Sequence, residues 1–240
     1  MISIIIPTRN EEKIIDRTLS TLKNTITIPH EIIVSDGNST DATAEIARKY
    51  ADKIVIQDKQ RPKTIGTGRN QGAEVASGEY VVFLDADCTI PEPDAFFGRA
   101  LAYFEAHPKT VGLCARVKVW PEQSTWLDKI VFACVNNTYT FFNNVLRIGA
   151  SGGEFLMVKR TAFAKIGGFK EHLIASEDLN FFYTISRVGH THLLRSLVVM
   201  HTGRRAHAIG WPLLLWEWFF NTISLIVRHK AASKEWTVVR

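Results

Sequence analysis

Tyr80-Val81-Val82-Phe83-Leu84-Asp85-Ala86-Asp87 is the stretch that decides the reading of this chain. Five apolar residues without polar alternation describe a strand buried on both faces, and such strands belong to sheets covered by helices on each side. Two carboxylates follow immediately, two positions apart. Mg²⁺ characteristically takes one or two carboxylates together with substrate phosphates. By itself Asp-x-Asp is a common tripeptide and marks only a polar strand end. Behind a buried strand it becomes a candidate site for a cation and a ribose hydroxyl.

Working outward from this strand, short apolar runs alternate with helical ones. Strands are expected at Ile2–Ile6, Glu31–Ser35 and Lys53–Gln57, ahead of Tyr80–Leu84. Helices are expected at Glu11–Leu22, Thr40–Tyr50 (with possible caps at Ser39 and Asp41), Gly68–Ala76 and Asp94–Ala106. The second half is less regular. It has β-like runs at Val111–Val119, Glu154–Lys159 and Ser196–Met200, and helical stretches at Thr125–Leu146 and Leu179–Val188. The pattern is α/β, with a Rossmann-like, mostly parallel sheet and helices on both faces.

In open α/β sheets, ligands bind outside the carboxyl ends of the strands. Behind the first strand stand Pro7-Thr8-Arg9-Asn10-Glu11, behind the second Asp36-Gly37, and behind the third Arg61, Lys63 and Arg69. Asp36-Gly37 is either an ordinary turn or a carboxylate accepting from a nucleobase. Glu177-Asp178 opens a helix, where it is either a dipole complement or a source of a general base. His201 closes a β-like run as a possible third metal ligand or as a structural histidine. Gly66, Gly68 and Gly72 do not have dinucleotide-fingerprint spacing, and the loop behind the first strand has no glycine. A Rossmann dehydrogenase is thereby excluded.

The 240 residues are 46% hydrophobic and 22% charged, which excludes disorder and leaves room for a sizeable core. Cys88, Cys114 and Cys134 lack metal-ligand spacing and suit a reducing compartment. The N-terminus has no basic region of a signal peptide, so a cytoplasmic location is expected. Net charge is +5, of which +4 falls after Gly203, together with four of the six tryptophans. Clustered Trp and local positive charge point to an anionic membrane surface rather than to nucleic acid.

Taken in order, these motifs resemble the GT-A fold of the family 2 glycosyltransferases. The match runs from Ile4-Ile5-Ile6-Pro7-Thr8-Arg9-Asn10-Glu11-Glu12 through Ile33-Val34-Ser35-Asp36-Gly37-Asn38-Ser39-Thr40-Asp41 to Gly68-Arg69-Asn70-Gln71-Gly72. It continues in Ala76-Ser77-Gly78-Glu79-Tyr80 with Asp85-Ala86-Asp87, then in Lys165-Ile166-Gly167-Gly168-Phe169, Ser176-Glu177-Asp178 and Arg204-Arg205. The resemblance implies a body over residues 1–205, with a nucleotide-sugar half at 1–120 and an acceptor half at 121–205. It implies a UDP- or GDP-linked sugar bound by Pro7, Thr8, Arg9, Glu11, Asp36, Arg69, Asp85, Ala86 and Asp87. It also implies Mg²⁺ or Mn²⁺ on Asp87 and Asp85, with His201 as a further candidate, and an acceptor at Gly152, Gly153, Glu154 and Glu177. Asp178 would be the base of an inverting transfer, although the fold serves retaining enzymes as well. Glu154 departs from the small or amide residues expected in the acceptor loop. The processive signature Gln-x-x-Arg-Trp is absent; Arg204-Arg205-Ala206-His207 stands near its place.

Residues 206–240 form a separate tail in this reading. Within Trp211–Val227, Glu217, Asn221 and Ser224 line up with Arg228 as one narrow polar stripe on an otherwise apolar helix. At about 25 Å the helix is short of the ~30 Å hydrocarbon core. An amphipathic helix lying in the membrane interface is expected, peripheral at the inner face of the cell membrane, with a lipid acceptor as its corollary. A helix packed on the body or in a dimer is the alternative. Competing functions are a catalytically inactive nucleotide-sugar-binding protein, a membrane-surface scaffold and a sugar-1-phosphate nucleotidyltransferase. The last should carry a glycine-rich phosphate loop after the first strand, and Pro7–Glu11 is not one.

Overall fold

The structure is a computed structural model describing residues 1–228 and 230. The first half alternates β1 (Ile2–Thr8), α1 (Ile15–Thr25), β2 (His30–Asp36), α2 (Thr43–Ala47), β3 (Lys53–Ile56), α3 (Ile65–Glu74) and β4 (Tyr80–Leu84). Then come β5 (Cys88–Thr89), α4 (Pro93–Ala106), β6 (Thr110–Val119) and α5 (Trp126–Thr140), which runs into a π-helical turn, Phe141–Leu146. The chain closes with β7 (Phe155–Lys159), α6 (Arg160–Ile166), α7 (Glu177–Ile185), β8 (His190–His201), α8 (Arg204–Ile209) and α9 (Trp211–Arg228).

The strands form one eight-stranded sheet in the order β3-β2-β1-β4-β7-β6-β8-β5. β1 pairs in parallel with β2 and β4, β2 with β3, and β6 with β8. β7 runs antiparallel between β4 and β6, and β5 antiparallel to β8, so the sheet is mixed, with six of its eight strands parallel to one another as expected. The reason lies in residues 147–154. After the π-helical turn they carry the chain back to the carboxyl rim, where Glu154 accepts from the Asp85 amide, and β7 has to start there and run down.

Side-chain alternation along β1 separates two cores. Ile2, Ile4 and Ile6 pack with Leu19, Leu22, Phe96 and Phe97 on one face, while Ile5 packs with Phe83, Phe181 and Phe182 on the other. α3 approaches β1 so closely at Gly72 that a Cβ there would collide with Ile5 Cγ2. α2 is shorter than expected, and its N-cap is Ala42, which provides no side-chain bond. Asp41 still accepts from the Thr43 amide, but Ser39 is used elsewhere, accepting from the Asn10 amide and bonding Asp36. All three cysteines are free.

Glu31 ties β2 to its neighbours. Its carboxylate accepts from Ser3 Oγ at 2.6 Å and from the Ser77 amide at 2.7 Å, and pairs with Lys53 Nζ at 2.7 Å. Burial alone would raise its pKa, but these donors outweigh it and bring the carboxyl down to about 2. A depressed folded pKa adds stability above the unfolded value and loses it as pH falls toward the folded one. We expect Glu31 to contribute about 3 kcal/mol at pH 7, lost between roughly pH 4.5 and 2. Urea unfolding of Glu31→Gln should show a flatter acid limb than the parent; parallel limbs would remove Glu31 as the cause.

The tail helix reverses the usual amphipathic arrangement. Asn221 and Ser224 of the polar stripe are buried against the body, beside Trp211, Leu214 and Leu225. Leu213, Trp216, Phe219, Phe220, Ile223 and Ile226 are exposed. Anchorage comes from Asp128, which accepts from Trp211 Nε1 at 2.8 Å and bonds His207 Nε2 at 2.9 Å. Trp211 and Leu214 also pack on Val131 and Phe132 of α5. The body thus holds the polar side of α9, which leaves its apolar side outward.

Candidate active site

The carboxyl rim of the sheet opens into a cavity of about 860 Å³. Pro7, Thr8, Arg9 and Glu11 enter it from the end of β1, Asp85, Ala86 and Asp87 from the end of β4, and Gly152, Gly153 and Glu154 from the loop before β7. Glu177 and Asp178 come from the start of α7, His201 from the end of β8, and Arg204 from the start of α8. Residues as far apart in sequence as Pro7 and Arg204 therefore meet because their strands and helices end on one edge.

Arg69 is the hub. Its guanidinium is 1% exposed and donates to Glu177 Oε1 at 2.8 Å, Asp85 Oδ1 at 2.9 Å and the Gly153 carbonyl at 3.1 Å. A Cβ at Gly153 would lie 2.6 Å from Arg69 Nη2, so only glycine admits this approach. Arg69 lines the cavity as the nucleotide-binding expectation requires, and its hydrogen bonds also make it the internal counterion of the carboxylate cluster.

One cation faces several buried acids, and the acids respond. Burial first, then the charge of Asp87, raises Asp85 to about 6 against the pull of Arg69. Burial and the charges of Asp85 and Asp178 raise Glu154 to about 8. Glu177 and Asp178 are pushed up together, by burial and, for Glu177, by the charge of Asp178 beside it. Asp178 Oδ1 accepts from the Leu179 amide at 2.7 Å, which fixes its orientation at the mouth of α7. The preceding Ser176 takes the left-handed conformation, φ 60°, unusual for a non-glycine residue and typical of a constrained site.

Asp87 faces a different environment. Thr202 Oγ1 donates to its Oδ2 at 2.7 Å, and Arg204 Nε lies 3.3 Å from the same oxygen. Arg204 also grips Glu11 with two bonds of 2.7 Å. β5–β8 pairing sets Cys88 opposite His201, and the His201 Nε2 is buried without a hydrogen-bond partner. Among the described residues, no group of three or more His, Cys, Asp or Glu is arranged to hold an ion alone. Asp85, Asp87 and His201 thus share a cavity without closing a three-ligand cage.

Asp36 stands apart. Ser35 and Gly37 line the cavity, whereas Asp36 is 2% exposed and its carboxylate is occupied by the Ser39 amide and hydroxyl. It organises the loop behind β2. Conversely, Arg204, Tyr139, Trp218, Asn221 and Thr222 line the cavity although the motifs gave them no role. The polar stripe on α9 was the available signal for Asn221.

The profile described as Glycosyl transferase family 2 matches residues 3–167, which include β1 to β7 and the whole Asp85–Asp87 edge. The chain belongs to glycosyltransferase family 2. Validoxylamine A glucosyltransferase of Streptomyces hygroscopicus subsp. limoneus is 38% identical over 90 residues, 35% of this chain and 20% of that enzyme. The family 2 chain therefore spans well under two thirds of that relative's length. The mannosyltransferase PcManGT of Pyrobaculum calidifontis, solved with GDP-Man and Mn²⁺, superposes with a TM-score of 0.73 at 19% identity, covering 95% of this chain and 64% of that one. S. aureus TarS 1–349 with UDP-GlcNAc gives 0.69 at 20% identity, covering 98% and 68%. These structural likenesses establish the GT-A fold of the family 2 chain.

Proposed function

We propose that this protein transfers a sugar from a UDP- or GDP-linked donor to an acceptor hydroxyl with inversion, using Asp178 as the base. The observation that carries the reading is the meeting of Asp85, Asp87, Asp178 and Arg204 in one cavity at the carboxyl rim. Both solved relatives named above hold nucleotide sugars, which supports that donor class. In the transfer, Asp178 accepts the acceptor proton as the acceptor oxygen bonds the anomeric carbon. The bond from that carbon to the phosphate oxygen breaks, and the nucleoside diphosphate leaves. Burial raises Asp178 above the ordinary carboxylate range, which makes it a better proton acceptor when ionised. Arg9, Lys63 and Arg204 line the cavity and offset the charge on the departing diphosphate.

The buried, unpartnered His201 Nε2 and the Asp87 carboxylate fit an ion shared with a ligand's phosphates. Mg²⁺ or Mn²⁺ held by Asp87, Asp85 and His201 would supply Lewis-acid stabilisation of the diphosphate. Gly152, Gly153, Glu154 and Glu177 border the acceptor end. Its wall is continued by Phe132 and Tyr139 of α5 and by Trp218 and Asn221 of α9.

The outward apolar face of α9 supports peripheral attachment to a membrane surface and an acceptor presented there as a lipid or lipid-linked sugar. Among the described residues, no helix is long and apolar enough to cross a membrane. The test of the donor reading is thermal stabilisation by UDP, GDP and their sugars, with and without Mn²⁺. A ligand binding only the native state at 100 times its Kd adds about 2.7 kcal/mol. We expect one nucleotide series to stabilise in a Mn²⁺-dependent way, with the effect lost in Asp87→Ala. No shift with any nucleotide would overturn the donor site.

A further inference from the structure

A second cavity, of about 520 Å³, lies on the opposite rim of the sheet, where β6 and β8 begin. It is lined by His107, Lys109, Arg147, His190 and His192 around Tyr103. No aspartate or glutamate lines it, and among the described residues neither Lys109 nor Arg147 forms an ion pair. Two cations beside three imidazoles, with no carboxylate in the lining, form a local excess of positive charge.

The geometry of the pocket is held in place. The Tyr103 ring stacks between His107, at 4.1 Å between centroids, and His192, at 4.8 Å. Arg147 takes the left-handed conformation, φ 58°, at the end of the π-helical turn. That turn is anchored beneath it: the Asn144 side chain exchanges two bonds with the Leu193 backbone, and the Asn143 side chain bonds Ala150. Arg147 therefore follows directly on an anchored turn, while Lys109 stands in the short turn that joins α4 to β6. Burial, then the charge of His107, holds His192 below its ordinary pKa, and an anion placed here would draw it back up.

We propose that this cavity is a second binding site, separate from the donor site, for a phosphate-bearing anion. Lys109 and Arg147 supply the charge, and the imidazole N–H groups supply the directional bonds. On and just after the π-helical turn that leads to Arg147, Phe141, Val145, Leu146 and Ile148 are exposed. Exposed apolar side chains next in sequence to the pocket's Asn143, Asn144 and Arg147 favour the phosphate of an anionic lipid headgroup as the source, since such side chains suit the acyl boundary while the pocket meets the phosphate. Soluble phosphates share the same chemistry and are the other source. The inference does not depend on nucleotide-sugar transfer.

The experiment uses the full chain and two probes. The first is inorganic pyrophosphate, followed by the imidazole NMR signals of His107, His190 and His192. The second is cosedimentation with phosphatidylcholine vesicles containing or lacking phosphatidylglycerol. Lys109→Gln with Arg147→Gln removes both cations at exposed positions, where the fold tolerates the change and melting temperature checks it. We expect pyrophosphate to move these signals in the parent, with affinity falling at least about tenfold in the double variant. For the headgroup source, the phosphatidylglycerol-dependent part of vesicle binding falls about 30-fold, from roughly a fivefold step per lost cation. A control, Trp216→Ser with Phe219→Ser on α9, should leave the histidine response intact. Pyrophosphate binding without any effect of the double variant on vesicles supports a soluble ligand. Absence of a histidine response together with unchanged vesicle binding in the double variant would overturn the site.

Discussion

Asp178→Asn lowers kcat for sugar transfer about 10²–10⁴-fold while donor affinity stays within about twofold. Asparagine preserves the volume and keeps an oxygen for the Leu179 amide, so the start of α7 stays in place. What disappears is the ability to accept the proton from the acceptor hydroxyl. The neighbouring Glu177 cannot take over, because its carboxylate is held by Arg69 at 2.8 Å. Glu177→Gln therefore gives a different signature: some loss of stability, and a smaller effect on the chemical step than on acceptor KM. Donor affinity by calorimetry and single-turnover rates with an active acceptor separate the two. An Asp178→Asn enzyme with parental kcat would remove Asp178 from the chemistry.

The reading of strands from sequence succeeded where burial dominates. Tyr80–Leu84 appears with both ends as expected, because an apolar run with no polar interruption has one solution in a covered sheet. β8 extends over His190–His201, although only Ser196–Met200 carries a β-like apolar pattern. Its first part alternates partly buried His190 and His192 with buried Thr191 and Leu193, and its pairing with β6 is broken by register shifts. The antiparallel direction of β7 was not legible either, since it depends on where 147–154 delivers the chain rather than on the composition of Phe155–Lys159.

At the candidate site, the strand-end rule picked Asp85, Asp87 and Glu11, which line the cavity because each follows a strong local strand signal. It also selected Asp36, whose carboxylate accepts from Ser39, three residues on, and which does not line the cavity in this structure. A local turn contact of this kind satisfies the same Asp-Gly pattern. The role of Arg69 was hidden for the opposite reason: Glu177, its partner, lies 108 residues away. On α9 the stripe of Glu217, Asn221 and Ser224 was visible, but periodicity cannot say which side of a helix meets the body. Asp128, buried 83 positions from Trp211, decides that.

Arg69→Met destabilises the fold by about 3–5 kcal/mol, the range for removing one partner of a buried ion pair. Methionine fills most of the volume and can still pack on the Phe169 ring, which Arg69 meets at 5.2 Å. The loss is therefore electrostatic. Asp85, Glu177 and Asp178 are left facing one another in a buried cluster without their cation, and the Gly153 carbonyl loses its donor. This account makes a second, sharper demand. If the cost is orphaned charge, neutralising one orphan returns part of it, so Arg69→Met with Glu177→Gln should be more stable than Arg69→Met alone. The two substitutions would then be strongly non-additive in a double-mutant cycle, with a coupling of about 1–3 kcal/mol. If the cost were lost packing, the second substitution would only add damage. Urea unfolding of the four proteins reads the cycle directly, and additive losses would show that Arg69 holds the site by shape rather than by charge.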